Sequence, residues 1–335
     1  MRKDFYNLSQ KDRKDIFQQT ANKLNLPIMA VEKDWWVVQT LEIIFSLPIR
    51  DSIIFKGGTS LSKAWKLIER FSEDIDLALD KSILDFEGEI TNNQVKNLRK
   101  KSQEYIKDTV FVNLEKKFKE FGLNDVELKL EEIGTKDQDP ISISVEYPSL
   151  LDKTEVSEYI SPRILIEIGS RSMREPFEDC SFSSYVGEVY KERPFADEQI
   201  VIPTVRPERT YLEKLFLLHE EFLKEEGTRR VNRLSRHLYD IYQISKSEYG
   251  DLAVADVDLY DEIIRHREKF VKIRGINYSY HHPLNLNPIP PGDDFKKWEE
   301  DYESMQESMI FGESPNFIEL LRDIRKITDI INSRK

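Results

Sequence analysis

The stretch from Phe55 to Leu79, FKGGTSLSKAWKLIERFSEDIDLAL, constrains the fold more than any other part of the chain. A short β-rich run, Ile53–Phe55, ends at Gly57-Gly58, which predicts a strand followed by a tight turn. The pattern then returns to a strand in DIDLAL, where Asp74 and Asp76 alternate with apolar residues. Side chains two residues apart lie on the same face of a strand. The two carboxylates would therefore repel each other unless a positive group lies between them.

A helix is predicted between these two strands. Its apolar positions recur at the i, i+3, i+4 and i+7 spacing of one helix face: Leu61, Ala64, Trp65 and Ile68. Thr59 or Ser60 is the expected N-cap, because the hydroxyl of either residue can accept a hydrogen bond from a free backbone N–H group.

The first half of the chain predicts a mixture of helices and strands. Residues 1–50 and 94–122 have helical periodicity. The segments 126–133 and 141–147 alternate like an antiparallel pair of strands, and 163–168 is a further strand. This half is therefore expected to fold as an α+β unit.

Helical patterns dominate after Arg209. They cover the segments 209–226, 229–245, 298–309 and 317–331, with an irregular Pro- and Asn-rich loop at 274–294. We therefore predict an α+β fold with two domains. A mixed-sheet core with N-terminal helices would span 1–205, and a helical C-terminal domain would span 206–335.

The composition excludes several classes of protein. The chain of 335 residues is 39% hydrophobic and 11% aromatic, which is typical of a folded globular protein. A formal net charge of −12 argues against general coating of duplex DNA, which needs a basic surface. The polar N-terminus is unlike a signal peptide, and no apolar run approaches the ~20 residues of a membrane span. With a single cysteine, Cys180, we expect a cytoplasmic protein.

The glycine turn and the paired aspartates together predict a site for a phosphate and a metal ion. A phosphate can approach the backbone of Gly57 and Gly58 because no Cβ atom blocks it. The following helix offers unpaired N–H groups, and Thr59 and Ser60 add hydroxyl donors. The two aspartates would hold Mg²⁺ through oxygen ligands, and the charge of the ion would remove their mutual repulsion.

Two further residues have open interpretations. Lys63, one turn into the predicted helix, either reaches a phosphate or is simply exposed, with equal weight. Glu167 is an acid in an otherwise apolar strand, and an unpaired buried carboxylate costs several kcal/mol. Its partner is either a metal ion shared with Asp74, since two-metal phosphoryl chemistry needs a third carboxylate, or Arg163 or Arg171 in a salt bridge.

Several motifs together resemble the nucleotidyltransferase superfamily that includes DNA polymerase β. The resemblance rests on the GGTS turn, the later DID and the strand acid. The longer form FKGGTSLSKAW…RFSEDIDLAL resembles one branch, the AbiEii/AbiGii-type toxins with the MenT toxins as relatives. Four further segments are similar to motifs of that branch in the expected order: VEKDWWVVQTL, YLEKLFLLHE, SRHLYDIYQI and WEEDYESMQESMIF.

The resemblance implies a reaction and further site residues. Lys214 would contact the triphosphate, Asp240 would belong to the active site, and the helical domain would complete the nucleotide cleft. The three carboxylates would bind Mg²⁺, with two ions expected, and an NTP would donate its nucleoside monophosphate to an acceptor hydroxyl. From the residues alone, an intrahelical pair between Arg236 and Asp240 is the simpler interpretation, because they are four residues apart.

The resemblance also implies a biological setting. The protein would be a toxin of a type IV-like toxin–antitoxin or phage-defence pair, acting on RNA such as tRNA or on a protein, with a cognate antitoxin or regulator as partner. The basic run Arg229, Arg230, Arg233 and Arg236 would line an RNA groove or form a solvated helix face, with equal weight. The alternatives are a small-molecule nucleotidyltransferase of the antibiotic-modifying type and a non-catalytic NTP-binding module.

Overall fold

A computed structural model describes residues 3–72, 74–135, 138–152, 161–282 and 285–333. The chain folds as two compact units. The first comprises Met1–Ala64 and Ser72–Thr204, and the second comprises Trp65–Phe71 and Val205–Lys335. The short segment at 65–71 therefore belongs with the C-terminal half of the chain, although the first unit surrounds it in sequence.

A mixed sheet organises the first unit. Within the described ranges its strands are β1 Ile53–Lys56, β2 Asp74–Leu79, β3 Glu127–Leu130, β4 Ile141–Glu146, β5 Arg163–Gly169, β6 Phe177–Phe182 and β7 Ile200–Val205. They lie in the order β3-β4-β5-β2-β1-β7-β6. β2 runs antiparallel to β1 and parallel to β5, while β3 and β4 form the predicted antiparallel pair. β2 thus has a strand on each side, in the interior of the sheet.

Helices cover this sheet. They are α1 Lys3–Tyr6, α2 Gln10–Leu24, α3 Ile28–Phe45, α4 Gly57–Lys63, α5 Asn92–Tyr105, α6 Phe111–Glu120 and α7 Tyr185–Val189. Residues on almost every side of α3 are buried, including the charged Glu32, Lys33 and Asp34. Trp35 and Trp36 of α3 are core residues, and the helix packs against β5.

The predicted helix at 94–122 is confirmed as α5 and α6, joined by a π turn at Ile106–Val110. Its predicted apolar positions are all buried: Val95, Leu98, Ile106, Val110 and Leu114. The last three recur every four residues, whereas an α-helix has 3.6 residues per turn. The wider π turn keeps these side chains in one row toward the core.

The second unit is helical, as predicted for the C-terminal part of the chain. Its helices are α8 Pro207–Leu223, α9 Ser235–Ser245, α10 Glu248–Ala255, α11 Val257–Phe270, α12 Phe295–Ser308 and α13 Phe317–Asn332. None of the described helices combines the length and the apolar surface needed to cross a bilayer. The α+β fold class is confirmed.

The predicted helix after the glycine pair is wrong at both ends. α4 begins at Gly57 without a side-chain N-cap, so neither predicted capping residue has that role. The helix stops before Lys66, whose φ of 53° is left-handed. Trp65 donates from its indole Nε1 to Val205 O at 3.0 Å. Trp65 and Ile68 therefore belong to the second unit and do not extend the face of α4.

The predicted helix at 229–245 is wrong in its first part, because α9 begins only at Ser235. Arg233 has a left-handed φ of 63°. The carboxylate of Asp301, on α12, accepts hydrogen bonds from the N–H groups of Arg233 at 2.7 Å and Ser235 at 3.0 Å. A tertiary contact therefore fixes the start of this helix.

Candidate active site

The two aspartates lie on β2 as the alternating pattern predicts. Asp74 and Asp76 are half-buried, whereas Ile75 and Leu77 are buried. This alternation places both carboxylates on one face of the strand and the apolar side chains on the other.

A row of polar residues crosses four strands through Asp76. The pairing register aligns Asp76 with Lys56 of β1 on one side and with Glu167 of β5 on the other. Glu167 is aligned in turn with Ser142 of β4. β5 runs parallel to β2, and neighbouring strands of a sheet lie about 4.7–4.9 Å apart. Glu167 is therefore a neighbour of Asp76 on the face that also carries Asp74.

The arginines considered as salt-bridge partners of Glu167 both contact other acids. Arg163 Nη1 lies 2.8 Å from Glu131 Oε1. Arg171 Nε lies 3.4 Å from Asp139 Oδ2, a buried carboxylate. Glu167 is aligned with Asp76 in the sheet, beside the paired aspartates, and its binding of a metal ion stays a prediction.

Gly57 lies directly against the carboxylate of Asp76. Its φ of +80° is one that L side chains rarely adopt, and a Cβ atom there would lie 1.9 Å from Asp76 Oδ2. Both the backbone conformation and the neighbouring carboxylate therefore require glycine at this position. The glycine turn and the aspartate strand are in direct contact.

The hydroxyl groups of Thr59 and Ser60 point into the protein. Thr59 Oγ1 donates to the backbone O of Asp74, and Ser60 Oγ donates to Gly57 O at 2.9 Å. Both residues are buried, whereas Gly57 and Gly58 are half-buried. The Thr59 hydroxyl thus holds the turn against β2, the Ser60 hydroxyl stabilises the turn internally, and the glycine backbone is the accessible part.

Lys63 is buried in an ion pair. Its Nζ lies 2.7 Å from Asp34 Oδ1 and 4.1 Å from the ring centroid of Tyr185. Asp34 Oδ2 also accepts a hydrogen bond from Tyr185 N at 2.7 Å. Burial raises the pKa of Asp34 to about 6, although Lys63 acts to lower it. The interpretation of Lys63 as an exposed lysine is wrong, and its contact with a phosphate stays a prediction.

In the second unit, Lys214 of α8 and Asp240 of α9 contact each other. Lys214 Nζ lies 2.9 Å from Asp240 Oδ2 and 3.2 Å from His237 Nδ1. Arg70 binds the same carboxylate, with Nε donating to Oδ1 and Nη2 to Oδ2, each at 2.7 Å. All four residues are buried, and Asp240 is 0% exposed. We refer to these residues as the Asp240 cluster.

The charges in the Asp240 cluster follow from burial and from these contacts. Burial alone would raise the pKa of Asp240, but Arg70 and Lys214 outweigh it and hold that pKa below its usual value. Burial lowers the pKa of Lys214 against the opposing effect of Asp240. Burial and Lys214 also lower the pKa of His237 far below its usual value, so that His237 is neutral.

Sequence reasoning did not identify Arg70 or His237. Arg70 lies 170 residues before its partner Asp240, so no local spacing connects them. The local signal is that Arg70 lies in the segment between α4 and β2, shortly before Asp74. No local spacing marks His237 either, because its contact with Lys214 depends on how α8 and α9 pack.

The basic run does not form one free surface. Arg229 Nη1 lies 3.1 Å from Asp294 Oδ2, and Arg230 Nη2 lies 2.9 Å from Glu221 Oε2. The first three arginines of the run precede α9, so the interpretation of the run as a solvated helix face is wrong, and its role in an RNA groove stays a prediction.

The carboxylates on the sheet fit a divalent cation by residue type and position. Asp74, Asp76 and Glu167 offer only carboxylate oxygens, the ligands that Mg²⁺ prefers, at neighbouring positions of one face. The described part of the chain contains no group of three or more His, Cys, Asp or Glu side chains already placed to hold a metal ion. Binding would therefore require these side chains to turn toward a common point.

A glycine turn against paired aspartates on a mixed sheet suits phosphate and divalent-metal chemistry. The family model "Nucleotidyl transferase AbiEii toxin, Type IV TA system" matches residues 41–327. The chain belongs to this AbiEii family of toxin nucleotidyltransferases, which confirms the resemblance seen in its motifs.

A comparison with solved structures finds matches that include two from Helicobacter pylori. JHP933 is 14% identical, with a TM-score of 0.42 over 90% of this chain and 91% of that chain. A candidate nucleotidyltransferase is 13% identical, with a TM-score of 0.40, and the match covers 88% of this chain and 92% of that chain. Terminal uridylyl transferase 4 from Trypanosoma brucei, with bound UPU, is 9% identical, with a TM-score of 0.28 over 97% and 99%. No curated protein matches the chain in sequence.

Proposed function

We propose that this protein uses a divalent metal ion to transfer a nucleoside monophosphate from an NTP to an acceptor hydroxyl, as the toxin of a type IV pair. The observation that carries the proposal is the contact between the Gly57 turn and the carboxylate of Asp76, which is level with Glu167 on the sheet. An open glycine backbone suits a closely approaching phosphate, and adjacent carboxylates suit Mg²⁺.

Each residue on the sheet has a distinct proposed role. Asp74 and Asp76, with Glu167, would hold two Mg²⁺ ions. When bound, these ions would stabilise charge on the transferring phosphoryl group and activate the attacking hydroxyl. Glu167 would also help to draw the proton from that hydroxyl, since it lies beside Asp76.

The backbone of the glycine turn would bind the triphosphate. Gly57 and Gly58 present their backbone at the half-buried part of the turn, while the buried hydroxyls of Thr59 and Ser60 keep that turn in place. In the second unit, Lys214 would offset charge on the departing phosphates, and Asp240 would hold its ammonium group.

The acceptor and the partner are part of the same proposal. The family description places its members in type IV toxin–antitoxin systems, and an antitoxin encoded alongside would be the partner. We propose RNA as the acceptor, with tRNA as the first substrate to test, and the cytoplasm as the compartment where both substrates are present.

Transfer of labelled nucleotide tests the function. The full chain is incubated with each α-labelled NTP, Mg²⁺ and total RNA, and in parallel with cell protein and with a small-molecule extract. We expect label on RNA of tRNA size, and we expect Asp74→Ala to reduce transfer by several orders of magnitude. Glu146→Gln is the matched control, because Glu146 is an acid on the same sheet that pairs with Lys129.

The possible outcomes separate the alternatives. Transfer that survives Asp74→Ala would remove the proposed chemistry. Label on protein or on a small compound would contradict RNA as the acceptor. NTP binding without transfer to any acceptor would identify a binding module and contradict the proposed reaction.

A further inference from the structure

Four polar residues form one row across the sheet of the first unit. The pairing register aligns them, strand by strand, in the order Ser142, Glu167, Asp76 and Lys56. Residues that pair directly across neighbouring strands lie on the same face of a sheet. We refer to these four residues as the Asp76 row. Its two acids lie in the middle, and its cation, Lys56, lies at one end.

Lys56 lies beside Asp76 without pairing with it. Lys56 is half-buried at the last position of β1, and the carboxylate of Asp76 lies against Gly57. In the part of the chain that the structure describes, Lys56 forms no ion pair, whereas Lys63 and Lys214 are each buried in one. The ammonium of Lys56 is therefore available on the face that carries the carboxylates.

The glycine turn continues directly from Lys56. Gly57, with its φ of +80°, redirects the backbone from β1 into α4. The backbone of Lys56 is itself extended, with a φ of −149°, so its side chain keeps the direction that the strand gives it. Lys56 and the glycine backbone proposed to bind the triphosphate are therefore adjacent in the chain, and both adjoin Asp76.

Nucleotidyl transfer has a direction in space. The acceptor oxygen forms a bond to the α-phosphorus of the NTP while the bond from that phosphorus to the oxygen bridging to the β-phosphate breaks. The proton of the hydroxyl passes to Glu167 in the proposed function, and the electron pair of the broken bond leaves with pyrophosphate. The attacking and leaving oxygens lie roughly in line, on opposite sides of the phosphorus.

The Asp76 row matches this direction. Glu167, which would take the proton, lies on one side of Asp76, and Lys56 lies on the other. Neighbouring strands are about 4.8 Å apart, so the backbones of Glu167 and Lys56 are about 10 Å apart with Asp76 between them. An α-phosphate held at Asp76 would have its acceptor toward Glu167 and its departing pyrophosphate toward Lys56. A lysine ammonium is a compact charge with three N–H donors, which suits phosphate oxygens.

We propose that Lys56 is a catalytic residue, which binds the pyrophosphate portion of the NTP and offsets the negative charge that develops there as the pyrophosphate departs. This role rests on the proposed function, because the transfer reaction produces the pyrophosphate. The leaving group then lies on the β1 side of the Asp76 row, and the acceptor lies on the β5 side.

Calorimetric titration with pyrophosphate and Mg²⁺ tests the binding on the full chain. Lys56→Met removes the ammonium and keeps an unbranched side chain. We expect this variant to raise the Kd for pyrophosphate about tenfold, the size of one lost charge-assisted hydrogen bond. A nucleoside monophosphate has no pyrophosphate portion, so we expect its Kd to stay unchanged.

Lys129 provides a matched control. The register of β3, β4 and β5 places it on the same face of the sheet, in line with Ser144 and Leu165. Its Nζ lies 2.6 Å from Glu146 Oε2, so its charge is already paired. Lys129→Met removes a lysine from this face outside the Asp76 row, and we expect it to bind pyrophosphate like the wild type. Thermal unfolding establishes that each variant is folded.

The chemistry of the leaving group separates this role from a purely structural one. NTP analogues with CH₂ or CF₂ in place of the β,γ-bridging oxygen change the basicity of the departing group. A cation that stabilises this group matters more when the group is more basic. We therefore expect the rate to depend more steeply on basicity in Lys56→Met than in the wild type. With the natural NTP, we expect kcat to fall about 100-fold.

A second pair of variants covers the case in which Lys56→Met does not fold. Lys56→Gln should weaken pyrophosphate binding, and Lys56→Arg, which keeps the charge, should retain it. Wild-type affinity for pyrophosphate without the charge, an equal loss in Lys129→Met, or an unchanged dependence on basicity would overturn the role of Lys56. A wild-type protein that transfers no nucleotide would instead overturn the proposed function itself.

Discussion

Replacing Gly57 by alanine tests the contact between the glycine turn and Asp76. Ordinary contact begins at 3.4 Å, so a Cβ atom at 1.9 Å from Asp76 Oδ2 forces the carboxylate or the turn to move by about 1.5 Å. A displacement of ~1 Å in a catalytic group can lower a rate by ~100-fold. We therefore expect kcat for nucleotide transfer to fall by at least ~100-fold in Gly57→Ala.

The substitution also has a backbone cost that must be separated from this displacement. A residue with a Cβ atom in the left-handed region costs roughly 1–2 kcal/mol. Gly227 isolates that cost, because its φ is +78° and nothing lies within 4 Å of a Cβ atom placed there. Gly227→Ala should therefore lose roughly 1–2 kcal/mol of unfolding free energy and keep its activity.

The assay compares the two alanine variants directly. Label transfer at saturating NTP gives kcat, and urea unfolding gives the free energy of unfolding. Wild-type kcat in Gly57→Ala, or an equal loss of activity in Gly227→Ala, would refute the reasoning from the Asp76 contact.

His219 and Lys63 give two further predictions. Burial and the nearby His281 lower the pKa of His219 to about 4, so the unfolded state binds more protons and stability is lost as the pH falls from 6.5 toward 4. His219→Gln should remove about 3 kcal/mol of that loss. The free energy of unfolding is measured in urea at pH 7 and at pH 4.5, and a change between the two pH values as large as in the wild type would contradict this. Lys63→Met leaves Asp34 buried without its cation, so we expect the free energy of unfolding to fall by ~3–5 kcal/mol. The double variant Asp34→Asn/Lys63→Met should lose less. Wild-type stability with weakened NTP binding would instead assign Lys63 to the phosphate.

Features with a local cause were predictable from the sequence. The period-two alternation of DIDLAL predicts both the strand and the shared face of Asp74 and Asp76. The pattern at 163–168 predicts the strand that carries Glu167. The order of the motifs predicts the family, and the family model confirms it.

Features with a tertiary cause were not predictable. The spacing of Trp65 and Ile68 matches a helix face, but both pack within the second unit because residues 69–71 pair with 309–312. The partners of Asp240 are Arg70, far away in the chain, and Lys214 of α8, rather than Arg236 on the same helix. Neither β6, whose residues are mostly exposed, nor β7 has a pattern strong enough to predict a strand.

The central claim is that the paired aspartates and Glu167 bind a divalent cation beside the glycine turn. Anomalous diffraction from crystals of the full chain with Mn²⁺ and a non-hydrolysable NTP locates that cation directly. The account predicts a peak about 2.1 Å from carboxylate oxygens of Asp74, Asp76 and Glu167, which is lost in Asp74→Ala/Asp76→Ala. A nucleotide in place with no Mn²⁺ at these carboxylates, or with Mn²⁺ bound elsewhere, would contradict it.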